Sequence, residues 1–444
     1  MKKKAMVLLL TASMVISLLS GCGIGAIGKE DVTIIVKCPP YNILQDINTD
    51  VTDAHTFLEQ AGNAFSEQYK DANVTVEVQL FDYTEEAQAI TDCFDTENAV
   101  DVLFEGYFNM ASYIHTGRVV PLDDVISDEL RADIDDATWE MSKVDGRTYM
   151  IPMMNIQNVL IYNKQMFVDC GLEEYVSDSQ EIQSWTTEEF TYILDTLAAN
   201  LPAGSYPMMM YAKNNQGDTH TMSLLRAYGS RIFDKDGNFD LESEEGIKAL
   251  AWVQEGVERG WYAPHSENME ILDNMELFNN GQLAIYFYNI ASKDNFDLQA
   301  NGFANWPTED GEGICTSFMT GFEVFDNGDD AKLAASKAFI QYIYSTEEWT
   351  NLESANIPVQ KSVSEKYSNL EMLNTFADNA DKAVNFTNNN PNWQGTETSV
   401  RSVFWPHIHD LLSGDVTPEE CARGIDEDCN KAIAIGRESS KLHE

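Results

Sequence analysis

Apolar and polar positions alternate along this chain with two periods, and the periods take turns. Val74, Val76, Val78 and Leu80 alternate with Thr75, Glu77 and Gln79, which is the period of a half-buried strand. Upstream, Phe57, Ala61, Phe65 and Tyr69 recur every fourth residue, the stripe of an amphipathic helix. A strand over Val32–Lys37 stops at Pro39-Pro40, and a short buried strand over Val102–Phe104 follows a helix-like stretch ending near Phe94. Strands separated by helices predict an α/β fold. Glu105 and Tyr107 then fall just past the carboxyl end of a strand, where open α/β sheets receive ligands, and Met110, Ala111 and Ile114 begin the next helix.

The stretch Gly146–Phe167 changes character twice. Ile151-Pro152 opens it in extended conformation, Asn155, Gln157 and Asn158 form a polar patch, and Val159–Tyr162 is apolar. This predicts a strand, an interruption and a second strand, with the chain crossing between two structural units. Asn155 and Gln157 share strand parity, which is taken to face ligand, and Asn158 has the opposite parity. Later elements follow the same rules. Thr186 with Glu189 forms a capping box ahead of Phe190, Ile193, Leu194 and Leu197. Asp234-Lys235-Asp236-Gly237 predicts a turn, since its glycine falls at the wrong position for a calcium loop. Glu244–Tyr262 predicts a helix with Ile247, Leu250, Ala251 and Val257 on its apolar side, and Ala331–Leu352 another. Thr417-Pro418-Glu419-Glu420 opens a final helix.

Length suggests two or three units in a chain of 444 residues. Lys+Arg number 28 against 73 Asp+Glu, a formal net charge of −45, which repels phosphate backbones and anionic lipid surfaces and argues against nucleic acid as a partner. Lys2, Lys3 and Lys4 precede an apolar run, Ala5–Leu19, too short to span a bilayer as a helix. This reads as an export signal over 1–21. Leu19-Ser20-Gly21-Cys22 resembles the bacterial lipobox, which makes Cys22 a lipidation site and residues 22–28 a flexible tether. Six further cysteines form no CxxC pair, so they are read as disulfides or buried free thiols and give zinc chemistry no support. Gly23–Gly28 matches GxGxxG but lacks the strand-loop-helix context of a nucleotide site. His407 and His409, two apart, point away from each other on a helix. No GxSxG, HExxH or P-loop is present, and the expectation is a binding protein with no cofactor and no catalytic residues.

The order of three segments carries a resemblance. DVLFEGYFNMASYIHTGRVVPLDD, GRTYMIPMMNIQNVLIYNKQMF and SWTTEEFTYILDTLA resemble the extracellular solute-binding proteins of family 1, the class that includes maltose-binding protein. Gly281–Asn289 is similar to that family's strand and following loop, which places Tyr288 and Asn289 at a ligand and Tyr286 and Phe287 in the core. Thr320–Val324 resembles its return crossing, with Phe322 where the family often has Trp. The resemblance implies a two-lobed periplasmic-binding-protein-like fold (type II), with discontinuous lobes joined by a three-crossing hinge. Lobe one is expected over 29–153 and 322–380, lobe two over 154–321 and 381–444. It further implies a monomer that captures a carbohydrate and delivers it to ABC permease subunits from the outer face of the membrane. Sugar recognition needs aromatic faces and hydrogen-bonding side chains. Tyr41, Tyr107, Tyr288, Phe322 and Trp393, the last in an Asn-rich loop, are the candidates for the first. Glu105, Asn155, Gln157 and Asn289 are those for the second. A cationic or peptide-like solute, or a secreted glycoside-processing enzyme, stands as the alternative.

Overall fold

A computed structural model describes residues 29–41, 53–81, 90–289, 296–345, 357–366, 371–395 and 397–439. The signal, the tether, Cys22 and the end of the helix expected to reach Leu352 lie outside the described residues. The α/β expectation holds. One mixed sheet runs through the molecule in the order Asn73–Leu80, Asp31–Cys38, Val102–Gly106, Cys315–Val324, Ile151–Asn163, Asn301–Ala304, Ile182–Gln183, and helices pack on it.

Two cores divide the molecule into two lobes. In the first, Ile34, Val36, Val102 and Phe104 of the sheet pack under helix Ala54–Gln68 and helix Asp330–Ser345, with Phe65 against Phe339 at 5.4 Å. Asp53 accepts from the Thr56 amide and caps the first of these helices, which buries Phe57, Leu58, Ala61 and Phe65 as the four-residue stripe requires. The second core gathers Val159–Tyr162, Leu283–Tyr286 and helices Thr187–Asn200, Glu244–Glu258, Val400–Ser413 and Pro418–Ser439. The predicted capping boxes are present at Thr186/Glu189 and Thr417/Glu420.

Strands Ile151–Asn163 and Cys315–Val324 belong to both cores, and this is what makes them the hinge. Ile151, Met153 and Met154 lie in the first core and Val159–Tyr162 in the second; Phe322 and Val324 lie in the first and Cys315 and Met319 in the second. A third crossing runs behind them, from Ile357-Pro358 on Asn155 and Met154 to Ala383-Val384 on Cys315 and Thr316.

Several expectations are corrected. Ile151–Asn163 is one uninterrupted strand of 13 residues. Pro152 fits inside it because the pairing with the second hinge strand shifts register between Thr320 and Gly321, where a missing ladder donor costs least. A Cβ on Gly321 would stand 2.3 Å from the Ile151 carbonyl oxygen, so the close approach needs glycine. Glu105 lies within strand Val102–Gly106 rather than beyond it. Helix Glu244–Glu258 buries Ala249, Leu250, Trp252 and Val253, while Val257 is 43% exposed. The six described cysteines are free thiols, and burial pushes those of Cys38 and Cys421 up to about 12, which leaves them unreactive.

Candidate functional site

Apart from Asn163 at the strand end, the two hinge strands are buried on both faces except at one place. Ile156 and Phe318 are partly exposed, and they stand directly opposite each other in the antiparallel register. Side chains of one strand alternate faces, so this partly open face also carries Asn158 and Thr316. It continues onto the neighbouring strand Leu283–Tyr288, where Phe287 pairs with Leu160 and is partly exposed. Asn289 follows at the strand end and donates from Nδ2 to Asn158 Oδ1 at 3.1 Å.

Lobe one contributes two loops, each leaving the carboxyl end of a strand. Tyr41 follows strand Asp31–Cys38, lies edge-on to Phe104 at 5.9 Å and is partly exposed. Tyr107 and Phe108 follow strand Val102–Gly106 in a single 3-10 turn and stack at 5.4 Å. Phe108 meets Phe318 at 5.3 Å and Phe386 at 5.4 Å, so aromatic rings from lobe one, the hinge and lobe two converge. Arg401 reaches the same place. Its Nε and Nη2 donate to the two carboxylate oxygens of buried Asp218 at 2.6 and 3.1 Å, and its guanidinium stands 5.9 Å from the Phe108 ring. His220 lies tilted against Phe287 at 4.4 Å and stacks on Trp306 at 5.8 Å, with the Tyr211 hydroxyl 2.5 Å from Nδ1. Burial lowers the His220 pKa to about 3, so this imidazole is neutral.

The sequence-predicted residues divide between this face and other places. Tyr41, Tyr107 and Asn289 are brought to it. Asn155 and Gln157 share a face, as their parity predicts, but it is the reverse face, opposite Phe318. Gln157 is buried there, donating to the Phe376 carbonyl at 2.9 Å and accepting from Asn379, while Asn155 accepts from the Ser317 hydroxyl at 3.0 Å. The Gln157 bonds fasten the hinge to the third crossing, and the Asn155 bond ties the two hinge strands to each other. Asn155 also borders a cavity of about 340 Å³ behind the hinge, with Asp135, Thr138, Lys361 and Asn374.

Tyr288 and Phe287 exchange their expected places. Tyr288 is buried on the reverse face against Phe303 at 4.9 Å and Phe376 at 5.8 Å. Phe322 lies in the lobe-one core, 4.6 Å from Phe104. Trp393 is fully buried, stacked with Phe239 and edge-on to Phe386 at 5.8 Å, so its Asn-rich loop is a packed lid over the lobe-two core. Glu105 and Glu323 are buried on one face of the lobe-one sheet, diagonal across the pair Gly321–Glu105. Phe108, Phe318, Phe386 and Asp218–Arg401 carried no signal in the pattern. Phe318 occupies an alternating position in a strand buried on both faces, where parity does not say which face opens. Among the described residues, no group of three or more His, Cys, Asp or Glu is placed to hold a metal ion, and His407 bonds Asp428 instead.

Comparison with known proteins gives this geometry its setting. The sequence profile described as "Bacterial extracellular solute-binding protein" matches residues 48–348, more than half of the chain. A binding protein of Brucella abortus is 20% identical over 229 residues, 52% of this chain and 53% of that protein, and the chain thus spans about half the length of the curated relatives it matches. Among solved structures, the GacH receptor of Streptomyces glaucescens, studied unliganded and with acarbose, superposes with TM-score 0.65 at 17% identity. That match covers 91% of this chain and 99% of the other. The sugar-binding protein MalE of Xanthomonas citri gives 0.69 at 15% identity, covering 91% and 98%. At such identities the structural matches establish the fold, two lobes about a hinge, and the profile establishes the lineage: the chain belongs to the bacterial extracellular solute-binding protein family.

Proposed function

We propose that this protein captures a carbohydrate between its lobes, on the face of the hinge that carries Ile156 and Phe318, and delivers it to an ABC importer. The observation that carries the reading is the convergence of Phe108, Phe318 and Phe386 with Tyr41, Asn289 and the Asp218–Arg401 pair. Pyranose rings present an apolar C–H face and an equatorial rim of hydroxyls, which aromatic planes and amides or charged pairs recognise together. That fold neighbours include an acarbose-binding receptor and a sugar-binding MalE supports the ligand class.

Within this reading the lobes divide as 29–153 with 322–380 and 154–321 with 381–444. The hinge strands absorb closure while each lobe moves as a body. The ligand stabilises the closed form by its differential affinity for it. Lipidation at Cys22 would hold the protein at the outer face of the membrane beside its permease. A ligand that binds the native state raises its melting temperature, so a thermal-shift screen over oligosaccharides, polyamines and amino acids separates the ligand classes. A saturable rise with oligosaccharides alone is expected; a rise with polyamines or amino acids and none with sugars would reject the carbohydrate reading.

A further inference from the structure

Acidic side chains outnumber basic ones in this chain, 73 to 28, and described arginines are commonly neutralised by them. Arg118 pairs with Asp95, Arg131 with Asp123, Arg259 with Asp195 and Glu255, Arg401 with Asp218, and Arg423 with Glu242. Arg226 differs. Its Nη2 reaches only the Asn385 carbonyl at 3.4 Å, its guanidinium carbon lies 5.8 Å from the Phe233 ring, and its buried Nε has no acceptor. Among the described residues no carboxylate pairs with it. Burial pulls its pKa down to about 10, the direction expected of a cation taken from water without compensation.

The position of Arg226 gives this imbalance a direction. Asp218 and Arg226 are eight residues apart on helix Asp218–Ala227, two turns along one face. Through Arg401, Asp218 addresses Phe108; Arg226 donates to the carbonyl of Asn385, the neighbour of Phe386, whose ring lies edge-on to Tyr107 at 6.1 Å. Tyr107 follows a lobe-one strand and packs with the second core, and Arg226 lies on a lobe-two helix, so the guanidinium stands near the junction of the lobes. A planar fork with a free Nε edge matches a carboxylate or sulfate and supplies what an otherwise acidic protein lacks for holding one.

We propose that the cleft takes an anionic carbohydrate, one bearing a carboxylate or a sulfate, with Arg226 as the counter-ion and Tyr107–Phe108 as the adjoining aromatic platform. The inference rests on the carbohydrate reading and narrows it. Calorimetric titration of the full chain with neutral hexose oligosaccharides, their uronate counterparts of equal length and a sulfated disaccharide tests it, with inorganic sulfate alone as control. The wild type is expected to bind a uronate or sulfated sugar at least tenfold more tightly than its neutral counterpart, a preference that added salt reduces. Arg226→Gln should erase the preference by weakening the uronate and sulfated sugars, and Arg226→Lys should keep part of it. Equal or tighter binding of the neutral sugars by the wild type would overturn the inference and leave the carbohydrate reading standing, whatever the variants do. Inorganic sulfate binding as tightly as the sulfated sugar, or a preference that survives in Arg226→Gln, would also overturn it. Saturation by no saccharide at all would remove both.

Discussion

At the scale of single residues, one position decides between ligand and core. Phe287 and Tyr288 are neighbours in a strand, and a slip of one residue exchanges every side chain between faces. Aromatic content in both places made them alike in sequence; only the pairing Val159–Tyr288 and Leu160–Phe287 assigns them. Trp393 shows the converse, because Pro391 and the run of asparagines around it read as an open loop. The ring is fully buried, and its backbone carbonyl accepts from Arg401. Trp393→Ala should therefore lower unfolding free energy by about 3–5 kcal/mol, read by urea denaturation, as large-to-small changes in cores do. His220 carries a pH signature. Its folded pKa of about 3 lies below the ordinary 6.5, so the unfolded chain binds a proton first as pH falls. Stability from this group is whole above about pH 6.5 and declines by about 1.4 kcal/mol per pH unit between 6.5 and 3. Denaturant midpoints followed over that range should fall less steeply for His220→Phe than for the wild type.

At the scale of elements, most helices and outer strands were legible because each buries one face and leaves its period in the sequence. Helix Ala54–Gln68 and strand Asn73–Leu80 are found within a few residues of where their patterns place them. The hinge strands were harder to read. Ile151–Asn163 is covered on both sides by the two lobes and the third crossing, so its amides are interior hydrogen-bonding groups rather than a solvent-facing row. A polar residue on such a strand signals either a buried bond or a ligand, and Gln157 proves to be the first. Glycine at 321 belongs to the same element-level design. Gly321→Ala would drive a methyl group against the Ile151 carbonyl, and a loss of about 2 kcal/mol or more is expected in thermal or urea unfolding. A variant as stable as the wild type would show that the two hinge strands can separate locally without cost.

At the scale of the whole molecule, the lobes already meet through hydrogen bonds of their own. Asn389 Nδ2 donates to the carbonyls of Met141 at 3.2 Å and Lys143 at 2.7 Å, and the Asn392 amide donates to the Ser112 hydroxyl at 2.8 Å. Asn388, Asn389 and Asn392 hold positive φ angles of 52°, 52° and 55°, a conformation that asparagine tolerates better than most residues. In the proposed hinge motion this seam would stabilise the closed arrangement. Asn389→Ala removes both seam bonds, worth about 1–2 kcal/mol together, along with the bond that its Oδ1 accepts from Asn385. A larger radius of gyration in ligand-free solution scattering and a several-fold loss of ligand affinity should follow. The two-lobed architecture was legible from the order of motifs, whereas the seam was not, because its partners are backbone carbonyls, a backbone amide and a single hydroxyl, which no periodic pattern marks.

In the proposed function the ligand sits on the face of the hinge carrying Phe318 and not on the face carrying Gln157. Titration calorimetry of the wild type and Phe318→Ala with the oligosaccharide giving the largest thermal shift tests it most directly. Saturable one-to-one binding by the wild type is expected, with at least tenfold weaker binding by Phe318→Ala at a temperature where circular dichroism shows the variant folded. Undiminished affinity in Phe318→Ala, or no saturable heat with any carbohydrate, would contradict it.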